Sequence, residues 1–287
     1  MFKKILVPFD GSENAERALP WVKRYAGPSK ALVVLLRTVH REAVDDGPPV
    51  AVERLEAKDY LQRMERELNY AGVPTKMVVK DGAPAFSIVK EAADEGCDLI
   101  IMTTRGKSRL GRWRVGGTTA QVTRLSAVPV LVVRSQTALR KQAHVRKIVV
   151  PLDGSGTAET IAPWAEALAH RHKAALVFLH VAARGTPTEL ERMDLLRRRT
   201  GRLAQALRKR GVRATVRIER GDPASEILHA AGPEDLIAMT THGYGGFKRW
   251  IFGSVAEKVC QTASVLVFVF RGKAPAAKHR TLEGALA

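Results

Sequence analysis

A chain of 287 residues suits one large domain or two of ordinary size. Its 45% hydrophobic content supports a full core, which excludes disorder over most of its length, and apolar runs such as Val265–Phe270 are far too short to span a bilayer. The net charge of +18 admits polyanions, nucleic acid included, as partners, yet no zinc-finger spacing or aromatic RNA-binding motif accompanies it.

The opening MFKKILVPFDG reads as a first strand, Ile5–Pro8, because Pro8 and Asp10 would interrupt the apolar stretch of an export signal. After a Gly-Ser turn, a helix is predicted over Ala15–Ala26, then a strand over Ala31–Leu36. A long helix over Val52–Ala71 turns Leu55, Leu61, Met64 and Leu68 inward, and a strand follows over Lys76–Val79. A helix over Ala85–Glu95, a strand over Leu99–Met102, a helix over Thr118–Ser126 and a strand over Val128–Val133 complete the series. Short apolar strands alternating with helices imply βαβ units, hence a parallel sheet covered on both faces.

The series then repeats. Lys4–Ser12 (KILVPFDGS) returns as Lys147–Ser155 (KIVVPLDGS), and Pro20-Trp21 returns at the same offset as Pro163-Trp164. Gly82-Ala83-Pro84-Ala85 answers to Gly221-Asp222-Pro223-Ala224, Asp98-Leu99-Ile100 to Asp235-Leu236-Ile237, and Arg112-Trp113 to Arg249-Trp250. Such order implies a tandem duplication. The expected layout is a domain over 1–137, a polar, basic linker over 138–145, a second domain over 146–272 and a loose tail over 273–287. In the second copy, Leu190, Met193, Leu196, Leu203 and Leu207 mark one apolar helix face, and the arginines of Arg192–Arg217 fall largely on the others. Cys97 and Cys260, one per half and not in a CxxC pair, read as buried thiols of a cytoplasmic protein.

In a doubly wound sheet, ligands sit at the carboxyl ends of the strands. Asp10 and Asp153 follow the first strand of each copy, and each is either a helix cap or a ligand contact. Thr103–Gly106 and Thr240–Gly243 follow the fourth strand, and Gly116-Gly117 and Gly253-Ser254 open the last helix. Glycine lets backbone amides approach a ligand, and a helix N-terminus adds N–H groups and partial positive charge, so the loop suits a phosphate chain. Ser254-Val-Ala-Glu257 also reads as a capping box, and Thr118-Thr-Ala-Gln121 as its counterpart one residue along. The joint spacing Gly243, nine residues, Gly253, Ser254 exceeds what a helix end alone requires.

On these residues the chain resembles a tandem universal stress protein from Met1 to Arg271. Nucleotide-binding members of that family carry Gly, two residues, Gly, nine residues, then Gly followed by Ser or Thr. Gly243, Gly253 and Ser254 fit, while Thr240 stands at the first glycine. The resemblance implies two five-stranded parallel domains of the adenine-nucleotide alpha-hydrolase-like kind, helices on both faces, binding ATP with Mg²⁺. It places Pro151, Leu152 and Asp153 against adenine and ribose, Val181 against adenine through its backbone, and Gly243, Gly253, Ser254 and Val255 on the phosphates. Met239, Thr240 and His242 belong to the same site, and Pro8, Phe9, Asp10, Thr103, Gly106, Gly116 and Gly117 are their N-terminal counterparts. There Gly117 replaces the hydroxyl residue, Arg105 matches His242, and Arg37 is matched to Val181; arginines there either strengthen phosphate binding or fill the pocket.

The function implied is a cytoplasmic ATP-binding regulator or sensor of stress with unidentified protein partners, the C-terminal copy being the better site. No nucleophile–base pair or metal-ligand cluster accompanies the loops, so an enzyme is not expected, although slow ATP hydrolysis fits a bound triphosphate. A nucleotide-free interaction scaffold is the alternative. Nucleotidyl transfer ranks lower, because VPFDGSENA and VPLDGSGTA carry neither a His-x-Gly-His motif nor a Ser-Gly-Gly-x-Asp-Ser loop. The apolar last strands, Val128–Val133 and Val265–Phe270, are expected to pair in an internal pseudo-dimer.

Overall fold

The computed structural model describes residues 2–39, 50–104, 117–134, 144–182, 186–241 and 253–271, so the linker's first residues, the tail and the side chain of Leu190 lie outside the description. The chain divides into two compact units, Met1–Ala143 and His144–Ala287. In the first, β1 (Lys4–Phe9), β2 (Leu32–Val39), β3 (Thr75–Asp81), β4 (Leu99–Thr103) and β5 (Val130–Val133) alternate with helices α1 (Glu13–Glu16), α2 (Leu19–Ala26), α3 (Val50–Tyr70), α4 (Pro84–Asp94) and α5 (Gly117–Leu125). The second runs β6 (Lys147–Pro151), α6 (Gly156–Glu159), α7 (Ala162–His172), β7 (Ala175–Ala182), α8 (Pro187–Lys209), β8 (Ala214–Arg220), α9 (Pro223–Ala230), β9 (Asp235–Thr240), α10 (Ser254–Thr262) and β10 (Leu266–Phe270).

Each unit has the same strand order, β3-β2-β1-β4-β5 and β8-β7-β6-β9-β10, and every pairing between these neighbours is parallel. The central strands are apolar on both faces, as a sheet covered on both sides demands: Ile5, Leu6, Val7, Ile148, Val149 and Val150 are all buried. In the second unit Trp164 of α7 packs on Phe268 and Phe270 of β10, with ring centroids 5.8 and 5.7 Å apart.

Two expectations are corrected. The helix predicted over Ala15–Ala26 is two helices, α1 and α2, because Pro20 lies in the first turn of α2 and cannot continue a helix from upstream. Pro163 divides α6 from α7 in the same way. In α3 the inward face is Ala57, Tyr60, Leu61, Met64 and Leu68, whereas Leu55 is 60% exposed. The 3.6-residue period runs through Ala57 and Leu61 and carries Leu55 off that stripe.

Beyond Leu6 and Ile100 the pairing of β1 with β4 stops, while β1 stays with β2 as far as Phe9 and Arg37. In the second unit β6 and β9 likewise part after Val149 and Ile237, while β6 follows β7 to Pro151 and Leu179. The crevice opens where the chain reverses its direction of winding, the position at which α/β sheets take ligands.

Candidate functional site

Both crevices are edged by the same turn. Asp153 Oδ1 accepts from the Ser155 amide at 2.9 Å and from the Ser155 hydroxyl at 2.7 Å, and Ser155 Oγ accepts from the Ala158 amide at 3.1 Å. Asp10 Oδ1 accepts from Ser12 N at 3.0 Å and Ser12 Oγ at 2.6 Å, with Ser12 Oγ accepting from Ala15 N at 3.2 Å. The serines therefore cap the helices, and each aspartate aims a serine. The reading of Asp10 and Asp153 as the caps themselves is corrected. The chain reverses at Gly11 and Gly154, whose φ values of +80° and +84° lie in the left-handed region.

What lies behind these glycines differs. A Cβ on Gly154 would meet Leu196 Cδ2 of α8 at 2.5 Å, and one on Gly11 would meet a guanidinium nitrogen of Arg37 at 2.8 Å. The Arg37 guanidinium carbon also lies 5.0 Å from the Tyr60 ring centroid, with that of Arg63 at 5.2 Å. Strand register pairs Pro8 with Leu36 and Pro151 with Leu179, so Arg37 corresponds to His180, and Thr38 to Val181. The match of Arg37 to Val181 is corrected by one residue. The step matters because successive side chains of a strand point to opposite faces. His180 is buried, its Nδ1 is 2.8 Å from the Leu152 carbonyl, and its Nε2 is 2.8 Å from Thr200 Oγ1 of α8. Burial holds this imidazole below its usual range, against the opposing pull of the Leu152 carbonyl and the Asp153 charge. Nearby, Arg199 pairs with Glu159 at 2.8 Å, and burial raises the Glu159 carboxyl while Arg199 opposes the rise.

On the other side of each crevice the end of the fourth strand meets the start of the last helix. In the second unit the Gly253 amide donates to the Thr241 carbonyl at 2.8 Å, and the Thr241 amide donates to Phe270 O at 2.9 Å. In the first, the Thr119 hydroxyl donates to the Thr103 carbonyl at 2.9 Å and the Thr104 amide to Val133 O at 3.1 Å. Thr103, Thr104, Thr240 and Thr241 are buried. Arg105, Gly106, Gly116, His242 and Gly243 lie outside the described residues.

The N-terminus of α10 is not closed by the predicted capping box. Gly253 is the N-cap, and among the described residues no side chain caps it. Ser254 is already helical and exposed, and the first intrahelical bond is Glu257 N to Gly253 O at 2.8 Å. The hydroxyl of Ser254 thus sits on the first turn beside amides that have no carbonyl one turn back. Thr118 is likewise inside α5, which begins at Gly117, so the second capping box is corrected too.

The residues expected together are thus brought to one edge: Pro151, Leu152 and Asp153 end β6, Val181 ends β7, Met239 and Thr240 end β9, and Gly253, Ser254 and Val255 open α10. Pro8, Phe9, Asp10, Thr103 and Gly117 take the same places in the first unit. His180, Thr200 and Thr241 were missed. Their signals were a polar residue in a buried strand position where the other copy has Arg37, and the repeated Thr-Thr pair. Cys97 and Cys260 are buried thiols, and burial pushes Cys97 up to about 12. Among the described residues no helix is long and apolar enough to cross a membrane.

Comparison with known proteins places this fold. A universal stress protein of Mycolicibacterium smegmatis is 25% identical over 93% of this chain and 96% of its own. A universal stress protein of Methanocaldococcus jannaschii is 34% identical over 47% of this chain and 96% of its own. The crystal structure of a universal stress protein from Archaeoglobus fulgidus superposes with a TM-score of 0.75 at 22% identity, covering 94% of this chain and 99% of that one, and shares its fold. The family model for universal stress proteins matches residues 1–134 and again 144–271, and the chain belongs to the universal stress protein family, with two tandem domains.

Proposed function

We propose that this protein is an ATP-binding regulator or sensor of the stress response, and that its C-terminal unit is the tighter nucleotide site. The observation that carries the reading is the first turn of α10: Gly253 leaves it without a side-chain cap, and Ser254 adds an exposed hydroxyl beside the amides. Such a terminus favours an anion through its N–H groups and partial positive charge. The turn amides and hydroxyl of Ser254 and Val255 would hold the phosphates together with Gly243, with Mg²⁺ sharing the phosphate charge. The ends of β6 and β7 at Pro151, Leu152, Asp153 and Val181 would take ribose and base. The N-terminal unit has Gly117 in place of Ser254, so at that position it offers an amide without a hydroxyl, and Thr118 follows.

Loss of one hydrogen bond to a charged group is worth about 1.5–3 kcal/mol, or roughly ten- to a hundredfold in affinity. Titration calorimetry with ATP and Mg²⁺ should show that loss in Ser254→Ala and no binding at this site in Gly253→Val. Unchanged binding in Gly253→Val, with loss on mutating Gly116 instead, reverses the assignment of sites.

One observation favours the nucleotide-free scaffold: buried Thr103 and Thr240 occupy the first-glycine position in both units. Failure of the wild type to bind ATP with or without Mg²⁺ would establish that alternative. As a separate part of the proposal, β5 and β10, each apolar and last in its own sheet order, pair in an internal pseudo-dimer; association of the separately expressed halves tests it.

A further inference from the structure

From Leu195 to Ile218 the chain carries nine basic residues and no acidic one. The corresponding helices of the two units differ in the same sense. α8 holds seven basic and three acidic residues, and α3 four basic and five acidic. Since Met193, Leu196, Thr200, Leu203 and Leu207 face the core, the outward stripe of α8 is Leu195, Arg198, Arg202, Gln205 and Lys209, all exposed. At 1.5 Å per residue that stripe is about 21 Å long. Arg197 and Arg208 flank it, and Arg210 and Arg213 extend it past the helix end, all of them exposed. Some of these cations have local partners: Arg198 pairs with Asp194 at 2.7 Å, Arg210 with Glu166 at 2.8 Å, and Arg208 donates to Ala214 O. Arg202 and Lys209 face outward on the acid-free part of the stripe.

We propose that this face of α8 docks the phosphate backbone of duplex nucleic acid without reading its sequence. Three features select that partner. Six of the seven cations on this stripe, its flanks and its extension are arginines, whose planar forks suit phosphate oxygens better than a point charge does. The stripe carries a single apolar side chain, Leu195, so it lacks the apolar face with which an interfacial helix enters a membrane. It carries no aromatic residue, so it offers no platform on which unpaired bases stack. A cationic rod without stacking groups is matched to a regular, doubly charged backbone. The docking face is separate from the crevice and does not depend on the nucleotide reading.

The experiment is fluorescence anisotropy of a labelled random-sequence duplex titrated with the full chain over a range of salt. Expected is sequence-independent binding whose log affinity falls linearly with log salt. Arg202→Glu/Lys209→Glu should weaken it at least tenfold and flatten the slope by about 1.8, the loss of two phosphate contacts. The charge-matched variant Lys58→Glu/Arg66→Glu on α3 should leave both nearly unchanged, which separates a docking face from bulk net charge. Equal losses in the two variants would overturn the proposal, as would equally tight binding of poly-glutamate or of anionic phosphatidylserine vesicles. Absence of duplex binding at 50 mM salt would overturn it outright. Matching melting curves for both variants exclude unfolding as the cause, and Arg202→Gln/Lys209→Gln repeats the test where the glutamates prevent folding.

Discussion

The two units share strand order, turn geometry and the aspartate–serine cap, yet they fill the space behind the first-turn glycine in opposite ways. The N-terminal unit places the Arg37 guanidinium there, lying over Tyr60 with small Ala57 on the same helix face. The C-terminal unit places Leu196 there and tucks His180 between Leu152 and Thr200. A duplicated fold thus keeps its backbone hydrogen bonds while its packing diverges. The divergence falls under the crevice, where one copy tolerates a cation and the other a neutral ring. The carboxyl edge of a repeated domain is held by backbone and short polar side chains, whereas its support is open to exchange.

The largest expected effect breaks the symmetry of the glycines. Gly154→Ala forces a left-handed residue and drives a methyl into Leu196, which is buried with Ala182 and Met193. A left-handed non-glycine residue costs about 1–2 kcal/mol, and overpacking about 1–3 more, so a loss of about 3 kcal/mol is expected. Gly11→Ala carries the first cost and at most the loss of the Arg37–Tyr60 contact, about 1 kcal/mol, because the flexible tip of Arg37 swings aside. Urea unfolding of the two variants measures the difference, and equal losses would mean that the two fillings are equally rigid.

Next in size is the imidazole. His180→Leu strips the Leu152 carbonyl and Thr200 hydroxyl of their partner, for about 2 kcal/mol at pH 8. Arg37→Leu, losing a cation–π contact at a half-buried site, should cost about 1 kcal/mol. The pair also separates by pH. Because the folded state holds His180 below the ordinary 6.5, the unfolded chain binds its proton first as pH falls. The stability contributed by neutral His180 is complete above pH 6.5 and declines as the pH drops through that value toward the folded-state pKa. Wild type should therefore lose stability between pH 7 and the folded pKa by a margin that His180→Leu lacks and Arg37→Leu keeps. Denaturation at several pH values shows whether the curves converge.

The smallest effect concerns a contact present in one copy alone. Asp222 caps α9 through the Ser225 amide, and its carboxyl is pulled down to about 2, chiefly by a hydrogen bond from Lys258 and then by Ser225. The N-terminal counterpart is Ala83, with no side-chain cap among the described residues. Lys258→Ala should raise the Asp222 pKa part of the way to the ordinary carboxylate range, leaving the Ser225 share. Carbon-detected NMR titration of Asp222 follows it directly.

Much of this was legible in the sequence. Two α/β repeats could be read from KILVPFDGS and KIVVPLDGS and from the Gly-x-Pro-Ala pairs, since each marks a turn with its own backbone demand. The carboxyl-edge placement of Asp153, Thr240 and Ser254 followed from the same reading. Three things did not follow. Register between VLLRTV and VFLHVA is anchored only by apolar Val and Leu, which also recur at neighbouring positions, and strand pairing showed that Arg37 answers to His180. A Gly-Ser pair before a helix does not say which of the two is the cap, because the outcome turns on one residue's φ and ψ. In α3, reading leucines as core placed Leu55 inward, whereas the inward stripe ran through Ala57 and Tyr60. Type alone misleads where periodicity and residue identity disagree.

The short stem beneath the glycine loop has an evolutionary consequence. With the Gly253 amide seated on the Thr241 carbonyl, the two ends of the insertion meet at one hydrogen bond. A segment tethered in this way can lengthen or shorten at a free-energy cost that grows only as the logarithm of its length. Selection can therefore rewrite the loop's composition and span without renegotiating the sheet on which it stands. A gene duplication in such a fold yields two editable cassettes, and a library randomised between Thr241 and Gly253 should return mostly folded proteins.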